Sequence, residues 1–475
     1  MEKHFLKYLM IPVALLTLNA CSQRSSLPPA TQPSMLNQQN SVPELTQWPT
    51  ALSPNVSNTR TLFDKYASQI YQKSHPQGMV IVMINNSQTL NRSFGTTTPE
   101  SRNAPSMNSL IRIASITKLM TSEVMLKLQD DGKLLVTDPL QKYSYYGVDI
   151  PLVSAQSPIR LYHLASHTSG FPREQPGGKW GRPVFIWPTH GDRWNWLKKA
   201  TLTSPAGNQA AYSNLAYDLL ADALVKASGK SYPQLLQQYV TQPAGMTNTT
   251  LTPTPAQCQR LLIGYKPSPC SDTIAAAGSG GVYSTPADMQ RWMQGFLTSH
   301  NAMRKATASK EQSVYFPRNR LSSIEGMDVA GRADGVGLGW VYMAPANGIP
   351  AIYQKTGGGG GFNTYMATIP ELNIGVFVVI TRKPNGTKFS EVTQGTNALV
   401  RALAKDFLSV IANTIAIKKA PYLRRFLFFW LKWILPSDYA SSITIDSMLG
   451  IILLVLMLQS RQVYHKPNLI VLKLH

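Results

Sequence analysis

Residues 111–120 read IRIASITKLM, and this stretch decides how the rest of the sequence is interpreted. It places Ser115 three positions before Lys118 in largely apolar surroundings. Residues at i and i+3 lie on one face of a helix, so the serine Oγ and the lysine Nζ can come within hydrogen-bond reach. A serine hydroxyl acts as a nucleophile only when a neighbour takes its proton and a positive field favours the oxyanion. The pair therefore predicts an activated serine, although the short S-x-x-K pattern alone also arises by chance.

Two further motifs follow and supply groups that such a serine needs. They are YSN at 212–214 and KTG at 355–357. Tyr212 is the candidate general base, and a tyrosine is a poor base unless nearby ammonium groups favour its phenolate. Lys118 and the lysine of the second motif would provide them, but Lys118 can also take the proton itself, and the residues do not decide between the two. Asn214 can hold Lys118 or a substrate amide.

The patterns around these motifs predict an α+β fold. Helical spacing marks 61–73, a helix that runs from Ser115 to a stop at Gly132, the segment Asn214–Ser228, and 391–411. The strand-length stretches are GMVIVMIN (78–85), a segment around 92–95, GLGWVYMA (337–344), IYQKTG (352–357), FNTYMATI (362–369) and IGVFVVIT (374–381). Because strands lie at both ends and helices lie between them, we expect one discontinuous antiparallel sheet flanked by helices, with a mostly helical subdomain inserted.

The two ends of the chain differ from this central part, which we place at 59–411. Residues 1–20 begin with lysines and continue as an apolar core, which predicts a secretory signal. LNAC at 18–21 resembles a bacterial lipobox, which predicts lipidation of Cys21, with plain signal cleavage as the alternative; an unmodified mature N-terminus in mass spectrometry would exclude the lipid. Residues 21–58 are rich in Ser, Pro, Gln and Asn and predict a disordered tether. The basic, hydrophobic tail at 412–475 either contacts a membrane surface or is a segment not under structural selection.

The net charge of the chain indicates which kinds of binding partner it favours. The chain has 45 lysines and arginines against 24 acidic residues, a net charge of +21. Such a balance suits an acidic partner or a membrane surface. No basic helix interleaved with aromatic residues and no nucleic-acid motif is present, so a nucleic-acid binder is not expected.

Three smaller features of the sequence could indicate a disulfide, a metal site or a cofactor site. Cys258 and Cys270 are close in sequence, and in an oxidising compartment we expect a disulfide, with two free thiols as the alternative. His163 and His167 have i,i+4 spacing, but no third ligand or H-E-x-x-H motif accompanies them, so no metal is expected. The glycine run at 357–361 lacks Walker and Rossmann spacing, and no cofactor is expected.

The order and spacing of S-x-x-K, Y-x-N and K-T-G resemble those of the class C β-lactamase and penicillin-binding protein family of serine acyl enzymes. HTSG at 167–170, GSGGVYSTPADM at 278–289, and the runs REQPGG, RPVFIWPT, AAYSNLAYDLLADAL, GLGWVYMAP and QKTGGGGGF extend the resemblance over roughly residues 60–410. Within the family these runs are most similar to a periplasmic D-alanyl-D-alanine carboxypeptidase and endopeptidase type. The resemblance implies a β-lactamase/transpeptidase-like fold.

The resemblance also implies a role for each motif residue. Ser115 becomes the acyl-accepting nucleophile, with Lys118 and Tyr212 as its catalytic partners. The implied substrate-binding residues are Asn214, Lys355, Thr356, Gly357 and Gly358. Among these, the lysine and threonine would bind a terminal carboxylate, and the Gly358 N–H would join the Ser115 N–H in an oxyanion hole.

The implied activity is that of a periplasmic hydrolase that cleaves peptidoglycan stem peptides through an acyl-enzyme, and Cys21 or the basic tail would anchor it to the membrane. β-Lactams would acylate the same serine. A class C-type β-lactamase with fast deacylation is the first alternative, and an esterase on the same scaffold is another. A non-catalytic β-lactam-sensing or peptidoglycan-binding module would be expected to lose a motif residue, and all of them are present.

Overall fold

A computed structural model describes residues 56–154, 156–176, 187–202, 204–297 and 302–415. The predicted signal, Cys21, the tether as far as residue 55 and the tail beyond residue 415 lie outside the described residues. Within the described ranges, no helix has both the length and the apolar character needed to cross a bilayer.

The helices of the described ranges fall mostly in the middle of the chain, with one long helix at each end. They are α1 Val56–Ser74, α2 Thr117–Asp130, α3 Leu161–Ala165, α4 His190–Leu197, α5 Asn214–Ser228, α6 Tyr232–Leu236, α7 Pro255–Cys258, α8 Pro286–Gln294, α9 Ala302–Gln312 and α10 Phe389–Ile415.

The long strands, each of eight residues, lie toward the two ends of the chain, as the sequence predicts. The strands of the described ranges are β1 Gly78–Asn85, β2 Gln88–Gly95, β3 Ile111–Arg112, β4 Ala210–Ala211, β5 Tyr283–Ser284, β6 Phe316–Pro317, β7 Ile324–Glu325, β8 Gly335–Val336, β9 Val341–Met343, β10 Ile352–Gly359, β11 Phe362–Ile369 and β12 Ile374–Thr381. Eight of them form one antiparallel sheet in the order β2-β1-β12-β11-β10-β9-β8-β6. Because β1 pairs with β12, residues far apart in sequence meet inside the sheet.

Both faces of the sheet are covered, which explains why its central strands are apolar without interruption. On β1, Met79, Ile81 and Met83 belong to the core under α1 and α10, while Val80 and Val82 belong to the core on the opposite face. On that opposite face α8 packs against β1 and β12. The α+β prediction is confirmed, with helices on both faces of an antiparallel sheet.

The element boundaries differ from the prediction at several places. The helix predicted to carry Ser115 begins only at Thr117, and Ser115 lies on the preceding 3-10 turn Ala114–Ile116. The stretch predicted as one strand at 337–344 instead turns sharply at Gly339, where a Cβ would lie 2.8 Å from the Tyr217 hydroxyl oxygen. α1 spans Val56–Ser74 where a helix was predicted at 61–73, and α10 spans Phe389–Ile415 where one was predicted at 391–411.

A disulfide joins Cys258 and Cys270, with an S–S distance of 2.03 Å. The enclosed loop reaches β3, because the buried guanidinium of Arg112 donates to the carbonyl oxygens of Ser268 and Pro269. The loop closed by the disulfide therefore supports the strand that leads into the turn carrying Ser115.

Two carboxyl groups are buried where α2 meets α8 and α9. Glu123 accepts a hydrogen bond from the indole N–H of Trp292 at 2.8 Å, and Glu311 accepts one from Trp340 at 3.0 Å. Burial raises the pKa of Glu123. The pKa of Glu311 is raised well above its usual range by burial and then by the charge of Glu123. Ionising both of two neighbouring buried carboxyl groups has a high free-energy cost. The fold therefore favours the protonated form of Glu311.

The substitution Glu311→Gln is expected to make the protein less sensitive to alkaline pH. A group whose folded-state pKa exceeds its unfolded-state pKa stabilises the fold at low pH, and this stability is lost as pH rises through the folded-state value. The amide keeps an acceptor for Trp340 but cannot ionise. We therefore expect the free energy of unfolding to fall less between pH 6 and pH 9 in Glu311→Gln than in the unsubstituted protein.

Urea denaturation at both pH values measures this difference. Glu100→Gln, at an exposed position, provides the matched control and should leave the pH dependence unchanged. An unaltered pH dependence in Glu311→Gln would show that the Glu311 carboxyl is not held in its neutral form.

Candidate active site

The turn that carries Ser115 is held from two sides. The hydroxyl of Thr364 on β11 donates to the Ile113 carbonyl at 2.9 Å, and the Ile113 N–H donates to the Val282 carbonyl at 3.2 Å. Directly after Ile113, which makes both of these bonds, Ala114 has φ +47°, in the left-handed region that alanine rarely adopts. The surrounding contacts therefore stabilise a backbone conformation that is intrinsically unfavourable for the residues of this turn.

Lys118 is fully buried one turn after the serine and contacts three oxygen atoms. Its Nζ lies 3.2 Å from Ser115 Oγ, 2.6 Å from Asn214 Oδ1 and 2.6 Å from the Ser279 carbonyl oxygen. Burial lowers the pKa of Lys118, and the carboxylates of Asp218 and Glu174 oppose that effect.

These three contacts satisfy Lys118 in both of its protonation states. The Asn214 and Ser279 oxygens can only accept, so they take two N–H groups in either state. The third position faces Ser115 Oγ, to which an ammonium donates its third hydrogen and from which a neutral amine accepts the serine proton. The site can therefore use Lys118 either as a charge or as a base.

Asp218 holds one of these acceptors in place. Its carboxylate accepts from the Ser279 N–H and from the Ser279 hydroxyl, both at 3.0 Å. Burial raises the pKa of Asp218. Asp218 thereby orients the Ser279 backbone, whose carbonyl binds Lys118.

Tyr212 directly follows β4 and lies among three cations. Its N–H donates to the Glu325 carbonyl at 3.1 Å. The centre of its ring lies 4.8 Å from Lys118 Nζ, 5.0 Å from Lys355 Nζ and 4.8 Å from the Arg173 guanidinium carbon. All three distances are within the range of cation–π contacts, so the ring contributes to holding these cations in place.

His167 forms the support beneath Tyr212. The two rings stack with their centres 4.4 Å apart. Its Nδ1 accepts the Ser213 N–H at 3.1 Å, which leaves the proton of a neutral ring on Nε2. Burial, followed by the charges of Lys355 and Lys118, moves the pKa of His167 well below its usual value. The imidazole is therefore a neutral platform.

Asn214 begins α5, which the Ser213 side chain caps by accepting the Ala216 N–H at 2.9 Å. The cap fixes the helix start and so the position of the Asn214 side chain. The Asn214 amide links two groups, because its Oδ1 accepts from Lys118 and its Nδ2 donates to Glu174 Oε1.

The opposite wall of the site is formed by β10. Lys355 is buried, and burial lowers its pKa to about 8, against the opposing influence of Tyr212. β9 pairs with β10 only from Ile352 to Gln354, whereas β11 pairs with it as far as Gly359. The second edge of 355–359 therefore has no strand partner among the described residues, and partly exposed Thr356 lies on this open stretch.

Gly357 allows β10 to approach the serine turn closely. A Cβ at this position would lie 2.7 Å from the Ile113 carbonyl oxygen and 3.0 Å from the Ser115 nitrogen. The cleft beside Ser115 is lined by Arg112, Ala114, Trp187, Asn214, Ser279, Gly280, Gly358, Gly359 and Gly360. The structure thus brings Ser115, Lys118, Tyr212, Asn214 and Lys355 close together. Gly357 packs on the serine turn, Gly358 lines the cleft beside Ser115, and Thr356 lies on the adjoining open stretch of β10.

The two histidines weighed as metal ligands have separate surroundings. His163 Nδ1 accepts the Arg160 N–H at 3.1 Å and its ring packs against Tyr162, whereas His167 lies under Tyr212. In the part of the chain that the structure describes, no group of three or more His, Cys, Asp or Glu side chains could hold a metal ion.

Sequence reasoning missed four residues of the site: Arg173, Glu174, Asp218 and Ser279. One signal was available, because Asp218 follows Asn214 by one turn within an otherwise apolar helix (NLAYDLLADAL). An acid in such a position needs a buried partner. Arg173 and Glu174 begin the run REQPGG, which contributed to the family resemblance but indicated no role for either residue, because their contacts with Tyr212 and Asn214 are tertiary.

A family model described as Beta-lactamase matches residues 63–398, which is more than half of the chain. The chain belongs to the β-lactamase family. This confirms the family resemblance that the three motifs predicted.

The chain is more similar in sequence to some members of the β-lactamase family than to others. The chain is 52% identical to the Escherichia coli K12 D-alanyl-D-alanine-carboxypeptidase/endopeptidase AmpH, over 72% of this chain and 89% of that protein. It is 26% identical to an E. coli K12 β-lactamase, over 68% of this chain and 89% of that one. A solved structure of a β-lactamase/D-alanine carboxypeptidase from Yersinia pestis, complexed with citrate, has 60% identity and a TM-score of 0.71, covering 74% of this chain and 99% of that chain.

The substitution Gly357→Ala is expected to destabilise the protein by about 1–3 kcal/mol, the usual range for overpacking a close contact. The new Cβ would lie 2.3 Å from Thr364 Oγ1 as well as against the serine turn. Chemical denaturation measures the loss.

Gly191→Ala is the control, because Gly191 lies in α4 with an ordinary φ and the nearest atom to a new Cβ is 4.0 Å away. It should be neutral or slightly stabilising, since alanine favours a helix. Equal stability of the two variants would refute the close packing of β10 on the turn.

Proposed function

We propose that this chain is a serine DD-peptidase, a carboxypeptidase and endopeptidase acting on the D-alanine-containing stem peptides of peptidoglycan. The observation that carries the proposal is the placement of Lys118 Nζ between Ser115 Oγ and Asn214 Oδ1, opposite the buried ammonium of Lys355. The identity of 52% to AmpH supports the same activity. A substrate outside the cytoplasm agrees with the secretory signal predicted at residues 1–20.

Acylation is the first step of the proposed reaction. The Ser115 oxygen forms a bond to the carbonyl carbon while its proton passes to Tyr212 or to neutral Lys118. The backbone N–H groups of Ser115 and Gly358 would stabilise the oxyanion that develops. When this intermediate collapses, the C–N bond breaks and the leaving nitrogen takes the proton. Water then cleaves the Ser115 ester and releases the shortened peptide.

The open edge of β10 gives the substrate a place to bind. An extended peptide can add to an unpaired strand edge through main-chain hydrogen bonds. Lys355 lies on this stretch, and a buried ammonium is a strong partner for a carboxylate. A peptide that ends in a free carboxylate would thus place its last amide bond beside Ser115.

β-Lactamase activity is the second candidate, because the family includes the E. coli β-lactamase that is 26% identical to this chain. Both activities begin with acylation of the serine, and they differ in how fast the β-lactam ester is hydrolysed. The first test therefore has to follow both the ester and the natural substrate.

The substitution Ser115→Ala is expected to abolish labelling by a fluorescent penicillin and to lower D-alanine release by at least about a thousandfold, as removal of a nucleophile does in other serine hydrolases. Gel fluorescence and chromatography of a cross-linked muropeptide digest measure the two effects. Ser313→Ala changes an exposed serine at the end of α9 and should match the unsubstituted protein.

Stable labelling together with D-alanine release or loss of cross-links would support the peptidase. Rapid loss of the label, with penicillin turnover and no muropeptide cleavage, would replace it with a β-lactamase. Labelling that survives in Ser115→Ala would contradict the assignment of the nucleophile.

The Michaelis constant for a peptide ending in D-Ala-D-Ala is expected to rise above pH 8. Burial lowers the pKa of Lys355 to about 8, so its ammonium is charged below this pH and is lost above it. At pH 9 about one tenth of the molecules keep the charge, which predicts an increase in KM of up to about tenfold.

The control substrate is the same peptide ending in D-alaninamide, which has no terminal carboxylate. Its KM should stay level over the same range in assays of D-alanine and D-alaninamide release. A parallel rise for both substrates would exclude Lys355 as the carboxylate-binding group.

A further inference from the structure

The charges around Ser115 are unevenly distributed. Lys118 and Lys355 are buried next to the nucleophile, Arg173 lies over Tyr212, and Arg112 lines the cleft. Two carboxylates, those of Asp218 and Glu174, act on Lys118, and Glu174 is the partly exposed one of the two. Glu174 is hydrogen-bonded to Asn214, which lines the cleft beside Ser115.

The hydrogen bond that Glu174 makes does not require a negative charge. Its Oε1 accepts the Asn214 Nδ2–H, and this bond leaves Asn214 Oδ1 free to accept from Lys118. A glutamine carbonyl oxygen would accept the same N–H and keep the amide in the same orientation. The bond to Asn214 therefore does not by itself account for a charged residue at this position.

Glu174 also remains accessible to a ligand. Its side chain is half-buried, in contrast to Asp218, which is enclosed behind the site and occupied by Ser279. A half-buried carboxylate at a cleft rim can pair with a cation from solution, and partial burial makes such a pair stronger than one on an open surface.

The direction of the bound substrate brings its acyl part to this carboxylate. If the terminal carboxylate binds at Lys355, the leaving group lies on the β10 side of Ser115. The acyl part then continues toward Asn214, whose amide is already bonded to Glu174. A cationic group near the acyl amide would meet Glu174, whereas a neutral group would gain nothing there.

We propose that Glu174 is a specificity-determining residue that favours acyl donors carrying an ammonium group close to the amide held by Asn214. Suitable donors include a peptide in which the residue before the acyl D-alanine keeps a free α-amino group, and a penicillin with an amino group on its side-chain α-carbon. This inference rests on the proposed acylation of Ser115.

If Glu174 acted only on Lys118 and not on the bound ligand, the expected result would be different. Its charge opposes the lowering of the pKa of Lys118, so its removal also changes the reactivity of Ser115. That change affects every acyl donor equally. We therefore compare the acylation rates of two donors that differ only in an amino group. The change in Ser115 reactivity cancels in the ratio of these two rates, and what remains is the recognition of the ammonium group.

Ampicillin and benzylpenicillin form such a pair, since they differ by one amino group on the side-chain α-carbon. The second-order rate constant for acylation of Ser115 is measured for both at about pH 6, where an α-amino group is protonated. Relative to the unsubstituted protein, Glu174→Gln is expected to lower the ampicillin-to-benzylpenicillin ratio by about three- to tenfold, the range expected for a partly exposed ion pair. Raising the salt concentration should reduce the ratio in the unsubstituted protein only.

Arg173→Gln is the matched charge control on the neighbouring residue. Removing a nearby positive charge should leave the ratio unchanged or raise it. An equal ratio in the unsubstituted protein and in Glu174→Gln would overturn the inference, even if both absolute rates fall. Failure of both penicillins to acylate the unsubstituted protein would overturn the proposed function and the inference together.

Discussion

The buried amine of Lys118 is the constraint on which the rest of the site depends. An ammonium group removed from water is tolerated only where the protein supplies acceptors for it. Asn214 and the Ser279 carbonyl provide them from two separate segments, and Asp218 holds the second in place. The start of α5, the segment before β5 and the serine turn are consequently fixed relative to one another around a single nitrogen atom.

The sheet and the helical part each supply one side of the site. β10 carries Lys355 within an eight-stranded sheet, while Ser115 lies on the 3-10 turn before α2 and Asn214 begins α5. Gly357 lets the two halves approach to backbone contact distance. The reacting groups thus lie at the junction of both parts, where neither can shift without disturbing the other.

Local features of the site were predictable from sequence, and long-range ones were not. The i,i+3 spacing gives the contact between Ser115 and Lys118, and the alternating and continuous apolar runs give the central strands. The 3-10 turn at Ser115 was missed because packing against β11, rather than local preference, holds Ala114 at a positive φ. Glu174 was missed because its contact with Asn214 bridges 40 residues of chain.

The open edge of β10 would by itself pair with any extended peptide, because main-chain hydrogen bonds carry no sequence information. In the proposed reaction, the Lys355 ammonium would add selectivity by binding a carboxylate next to the scissile nitrogen. A terminal D-alanine carries a carboxylate on the carbon bonded to that nitrogen. A cross-link in which this nitrogen belongs to a diaminopimelate residue carries a carboxylate at the same place, although the polymer continues beyond it. The same cationic group would therefore bind a chain end and a cross-link in the same way, and the proposed carboxypeptidase and endopeptidase activities would share one recognition step.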